Sequence, residues 1–141
     1  MEKMEIPPVK VGASYSVKDN LVKVTARGVV VEVGELPEHG GRGDRITPLE
    51  AFLAGLASCE VFMFKHVAKA MGIKEGYDVE VNVRGDFEFG EGLKHMDLEV
   101  KVRGLDRETA EKVFELVKNY CPVYNSIKKM NAVVHEKIIV E

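Results

Sequence analysis

Tryptophan is absent from this 141-residue chain, and cysteine occurs only twice. A cysteine pair 62 residues apart is no disulfide framework, and it lacks the clustered spacing of a zinc site. No metal-ligand set is read from the chain. No basic stripe interleaved with aromatic residues is present, and the net charge of −3 comes from interspersed signs. That pattern excludes a nucleic-acid surface. There is no run of 18 apolar residues, so no membrane span is expected. The opening MEKMEIPPVK has no apolar stretch of a signal peptide, which makes the cytoplasm the expected location. Neither GxxxxGK[ST] nor GxGxxG occurs, so the glycine-rich segment from Gly34 to Arg45 is not read as a phosphate cradle. Internal repeats and low-complexity tracts are also missing.

What is present is the composition of an ordinary globular protein, 45% hydrophobic and 30% charged, long enough to bury a core. Residues 1–141 are read as one domain. Met1 to Pro8 is a loose arm, given its Pro7-Pro8 pair. Val9–Val17, Leu21–Ala26 and Val29–Val33 read as three strands of an antiparallel meander, broken at Asp19-Asn20 and at Gly28. Four glycines and a proline between Gly34 and Arg45 then argue against regular structure, and this loop delivers Arg42 and Arg45 to the start of a long helix.

That helix is the longest uninterrupted pattern in the chain, TPLEAFLAGLASCEVFMFKHVAKAMG from Thr47 to Gly72. Thr47 suits the N-cap, Pro48 the first helical position and Glu50 the capping box. At 1.5 Å per residue it is roughly 36–39 Å long, more than the ~30 Å width of a compact domain this size. One chain is therefore not expected to cover it. On a wheel of 100° per residue, Phe52, Leu53, Leu56, Met63, Phe64, Val67 and Met71 share one apolar arc. Cys59 lies at its border. Glu60 falls inside the arc, where a carboxylate needs a partner, a cavity or a second chain. His66 is about 10.5 Å from Cys59 along the axis, which excludes a direct Cys–His pair on this helix.

Tyr77 to Phe89 alternates throughout, Gly90-Glu91-Gly92 turns, and Leu93 to Val102 returns with Met96, Leu98, Val100 and Val102 on one face. His95 is read as an exposed strand residue. Asp106 caps a second helix that buries Ala110, Val113, Phe114 and Val117 and ends near Tyr120. Cys121-Pro122-Val123 then opens a short third helix, with Cys121 at its N-cap. A positive dipole end there is expected to make Cys121 the more acidic thiol. Ala132 to Val140 closes the chain as a strand, with His135 read as structural. The order βββ-α-ββ-α-α-β is an α+β design.

The helix start Thr47-Pro48-Leu49-Glu50, the segment Ala57-Ser58-Cys59 and the late Cys121-Pro122-Val123, in this order of elements, resemble the OsmC/Ohr family of osmotically inducible and organic hydroperoxide resistance proteins. The resemblance covers nearly the whole chain. It implies an intertwined homodimer with long central helices and two sites at its interface. It also implies thiol-dependent reduction of hydroperoxides, organic ones preferred, with no metal, flavin or haem. Cys59 would be the peroxidatic thiolate, Cys121 the resolving thiol, and an external dithiol or protein reductant would reopen their disulfide. The family sets an Arg, held by a Glu, beside the reactive thiol; Arg42 and Arg45 are the candidates for the first. Well-characterised members carry Asn-Pro-Glu ten residues before the cysteine, a place held here by Leu49, with the carboxylate at Glu50. The chain thus resembles the Ser/Thr-Pro-x-Glu branch, and Glu50 and Glu60 are both candidates to hold the Arg. The one-residue shift turns Glu50 by about 100° and leaves it ~13.5 Å from Cys59 along the axis. A non-enzymatic redox-sensing or small-molecule-binding dimer of the same fold is the alternative.

Overall fold

The alternation and capping signals translate into ten elements in the computed structural model, which describes residues 5–130 and 132–141. The first four residues of the N-terminal arm lie outside the described residues. The strands are β1 (Gly12–Ser16), β2 (Leu21–Ala26), β3 (Val29–Val33), β4 (Asp78–Glu88), β5 (Gly92–Arg103) and β6 (Val133–Val140). The helices are α1 (Pro48–Ala70), α2 (Arg107–Tyr120) and α3 (Pro122–Lys128), with a 3₁₀ turn at Pro37–His39. The α+β order read from the sequence is the observed one. The 3₁₀ turn corrects the expectation that the glycine-rich loop holds no regular structure. Pro37 supplies the fixed φ of its first position, and Gly40 closes it at φ 87°.

The backbone forms two compact units, one reaching to Phe52 and the other running from Leu53 to Glu141. In the first, β1-β2-β3 is an antiparallel meander. Its turns place Asn20, Arg27 and Gly28 in the left-handed region, which Asn and Gly tolerate best. Leu21 and Val33 are buried there. The loop is stitched to itself by Gly41 N–H and Gly43 N–H, which donate to the Leu36 and Glu35 carbonyls.

In the second unit the sheet order is β4-β5-β6. The β4-β5 hairpin is antiparallel, whereas β5 and β6 run parallel, the connection passing through α2 and α3. Alternation on β5 sends Met96, Leu98, Val100 and Val102 into the core. There they meet Leu56, Phe64, Val67 and Ala68 of α1, Ala110, Val113, Phe114 and Val117 of α2, and Tyr124 and Ile127 of α3. Asp106 caps α2 by accepting from Thr109 N–H.

Helix α1 has 23 residues, about 35 Å. By length and composition alone it would reach across a membrane, but its Leu56, Phe64, Val67 and Ala68 lie in the core of the second unit. Its buried face is narrower than the wheel suggested. Leu56, Phe64 and Val67 are buried and Leu53 and Met63 half-buried, but Phe52 and Met71 are exposed.

Candidate active site

Helix α1 and the junction of α2 with α3 bring the cysteines together. Cys59 lies at mid-helix in α1, half-buried at the edge of the core face. Cys121 is the hinge between α2 and α3: its N–H continues the α2 ladder to Val117, and its sulfur accepts Tyr124 N–H as the cap of α3. Pro122 fits because the first helical position needs no N–H. The Cys121 Sγ–H donates to Cys59 Sγ at 3.2 Å. Both thiols are free. The separation is a little over 1 Å longer than the ~2.05 Å of a formed disulfide.

The expectation that the head of α3 acidifies Cys121 is corrected. Cys121 has its helix N-terminus, but it is fully buried, and burial pushes its pKa well above the ordinary thiol range. The hydrogen bond to Cys59, the Cys59 charge and nearby Glu60 push the same way, and the backbone N–H at Val123 opposes them weakly. Desolvation wins because a seven-residue helix offers a modest dipole, whereas a sulfur without solvent cannot spread a charge. Cys121 therefore stays protonated and serves as a donor to Cys59.

Glu60 is buried, 1% exposed, as its place in the apolar arc requires, and neither carboxylate oxygen has a hydrogen-bond partner among the described residues. Burial, then the Glu136 carboxylate, push its pKa up to about 7, against the pull of Lys118. Lys118 and Glu136 form an ion pair at 3.3 Å. The Tyr124 hydroxyl donates to the other Glu136 oxygen and accepts from Lys128 Nζ at 3.3 Å. This polar chain was not legible in sequence, because Lys118, Tyr124, Lys128 and Glu136 come from three elements. A groove of about 650 Å³ opens beside it, lined by Met71, Phe114, Leu116, Lys118, Glu136 and Ile138.

The remaining candidates belong to the N-terminal unit. Arg42 pairs with Asp44 at 2.8 Å and donates to the Asp19 carbonyl. Arg45 pairs with Glu32 and with Asp44, both at 3.3 Å. Glu50 closes the capping box: its carboxylate accepts Thr47 N–H at 2.8 Å while Thr47 Oγ1 accepts Glu50 N–H at 3.2 Å.

A family model described as OsmC-like protein matches residues 41–136. An uncharacterized protein of Methanocaldococcus jannaschii is 32% identical over 98 residues, 66% of this chain and 52% of that protein. The chain thus spans about half the length of the curated relative it matches. Among solved structures, an OsmC-like protein from Mycoplasma pneumoniae has a TM-score of 0.81 at 20% identity, over 95% of this chain and 97% of that one. An organic hydroperoxide resistance protein from Elizabethkingia anophelis gives 0.74 at 23% identity, over 99% and 100%. The organic hydroperoxide resistance protein OhrB of Bacillus subtilis gives 0.65 at 26% identity, over 93% and 97%.

Proposed function

The chain belongs to the OsmC-like protein family, and from that premise we propose that it is a thiol-dependent peroxidase that reduces hydroperoxides, organic ones preferentially. The observation that carries this reading is the 3.2 Å contact between Cys59 and Cys121. It fits a two-thiol cycle. The Cys59 thiolate attacks the distal oxygen of ROOH, the O–O bond breaks, and the alkoxide leaves as ROH with a proton from solvent. The resulting Cys59 sulfenic acid is attacked by the Cys121 sulfur. The S–S bond forms as the S–O bond breaks, and the Cys121 proton leaves with the hydroxide as water. An external dithiol or protein reductant then restores both thiols by exchange. The cycle uses no metal, flavin or haem and suits a reducing cytoplasm. The names of the E. anophelis and B. subtilis relatives support a hydroperoxide substrate.

A thiolate at Cys59 needs a cation, and we assign that role to Arg42 first and Arg45 second. Glu50 is engaged as a capping-box residue, so Glu60 is the carboxylate we place closest to the thiol chemistry, beside Cys59 in the chain and acting on Cys121. The active form is a homodimer. Exposed Val29, Val30 and Val31 on β3 and Phe62 on α1 support it, since single chains seldom leave such apolar surface uncovered.

The test is turnover of an alkyl hydroperoxide with a small dithiol. Multiple turnover by the wild type and none by Cys59→Ser is the expected result; full activity of Cys59→Ser overturns the mechanism. Oxidation that stops at one equivalent per chain, with dithiol in excess, favours the redox-sensing reading instead. That reading draws on the capping-box engagement of Glu50, which withdraws one candidate carboxylate from the Arg.

A further inference from the structure

We propose that the outer face of the β4-β5-β6 sheet carries a site for a divalent cation of the zinc class, held by His95 Nε2, His135 Nδ1 and Asp97 Oδ1. The sheet register builds it. Asp97 lies directly across from His135 on the parallel neighbour β6, and His95 is two residues before Asp97, hence on the same face of β5. Their opposite-face neighbours, Met96 and Leu98, point into the core and hold the strand in register. The thiol chemistry uses none of these residues.

Three donor atoms converge. His95 Nε2 is 3.2 Å from His135 Nδ1 and 3.5 Å from Asp97 Oδ1, and the last two atoms are 3.6 Å apart. A tetrahedral ion with bonds of about 2.1 Å holds its ligands ~3.4 Å from one another, so the three atoms already have the spacing of one tetrahedral face. The three side chains are 30%, 42% and 68% exposed, so water can take the fourth position. Imidazole with carboxylate is the ligand chemistry of zinc and of its neighbours cobalt, nickel and copper.

The surrounding groups are those that orient metal ligands. Asp86, the cross-strand partner of His95, sits with Oδ2 3.2 Å from His95 Nδ1. A proton held between that pair fixes the tautomer in which Nε2 is a lone pair, the carboxylate–histidine arrangement of many zinc sites. Arg84 reaches the outer oxygens of both acids, Asp86 Oδ1 at 3.1 Å and Asp97 Oδ2 at 3.5 Å. It thereby leaves Asp86 Oδ2 for the histidine and Asp97 Oδ1 for the ion. Two carboxylates against one guanidinium leave one negative charge for the cation to meet.

The test is titration of tag-free, chelator-stripped full-length protein with Zn²⁺ by calorimetry and with Co²⁺ by absorption. Expected are one ion per chain and Co²⁺ bands of tetrahedral intensity without sulfur charge transfer. His95→Ala and His135→Ala should each weaken binding by at least about 100-fold, and Asp86→Asn by ~10–100-fold, while Cys59→Ser binds as the wild type does. All three of these side chains are partly or largely exposed, and circular dichroism verifies that each variant keeps its fold. Absent binding, octahedral Co²⁺, or a sulfur charge-transfer band lost in Cys59→Ser with affinity unchanged in the histidine variants would each overturn the proposal.

Discussion

At Cys121 two effects of opposite sign meet on one sulfur: a helix N-terminus that favours the thiolate and burial that opposes it. Burial prevails, so this thiol is protonated. Cys121→Ser should then still consume one equivalent of hydroperoxide per chain, with a sulfenic acid at Cys59 that a dimedone-type reagent traps and mass spectrometry counts. Failure to react even once would place the first step elsewhere. Glu60 supplies a pH signature of its own. Its folded pKa, about 7, lies above the unfolded value of 4.5, so in that interval the folded chain holds the extra proton. The contribution of Glu60 to stability is therefore fully present below pH 4.5 and is lost as pH rises from 4.5 to about 7, a change on the order of 3 kcal/mol for this group. Urea unfolding of wild type against Glu60→Gln measures it: the variant should lose this slope. A wild-type curve with no slope beyond that of Glu60→Gln would contradict the assignment.

At the scale of elements, the glycine-rich loop is a built structure. A Cβ on Gly41 would stand 2.0 Å from the Glu35 carbonyl oxygen, an impossible contact with backbone. Gly41→Ala should destabilise the fold by at least about 2 kcal/mol, read as a lowered denaturation midpoint, whereas Gly12→Ala meets no atom within 4 Å and should cost far less. Helix α2 has an N-cap worth testing by the same measurement. Asp106 accepts from both the N–H and the hydroxyl of Thr109, and Asp106→Ala should lower the denaturation midpoint. Glu108–Lys112 and Arg107–Glu111 on its exposed face contribute less, as solvated ion pairs do.

For the molecule as a whole, the exposed apolar residues set the question. Phe62 is 61% exposed, and Val29, Val30 and Val31 are each about half exposed. Sedimentation should find a dimer, and Phe62→Asp should weaken self-association at least about tenfold, equivalent to ~1.4 kcal/mol. A monomeric wild type would remove the dimer from the proposed function.

The linear pattern of residues sets the element order, the capping of α1 and α2, the inward face of β5 and the misfit of Glu60. Each of these depends on periods of 2 or 3.6 residues or on contacts within one turn, which a linear pattern records. It also placed Cys121 at the head of α3. That this thiol is buried follows from the folded chain, because burial belongs to the packing of three helices on a sheet. The same limit hid the polar chain around Glu60 and the cluster of His95, Asp97 and His135. Those histidines are 40 residues apart, and only the parallel register of β5 and β6 makes them neighbours.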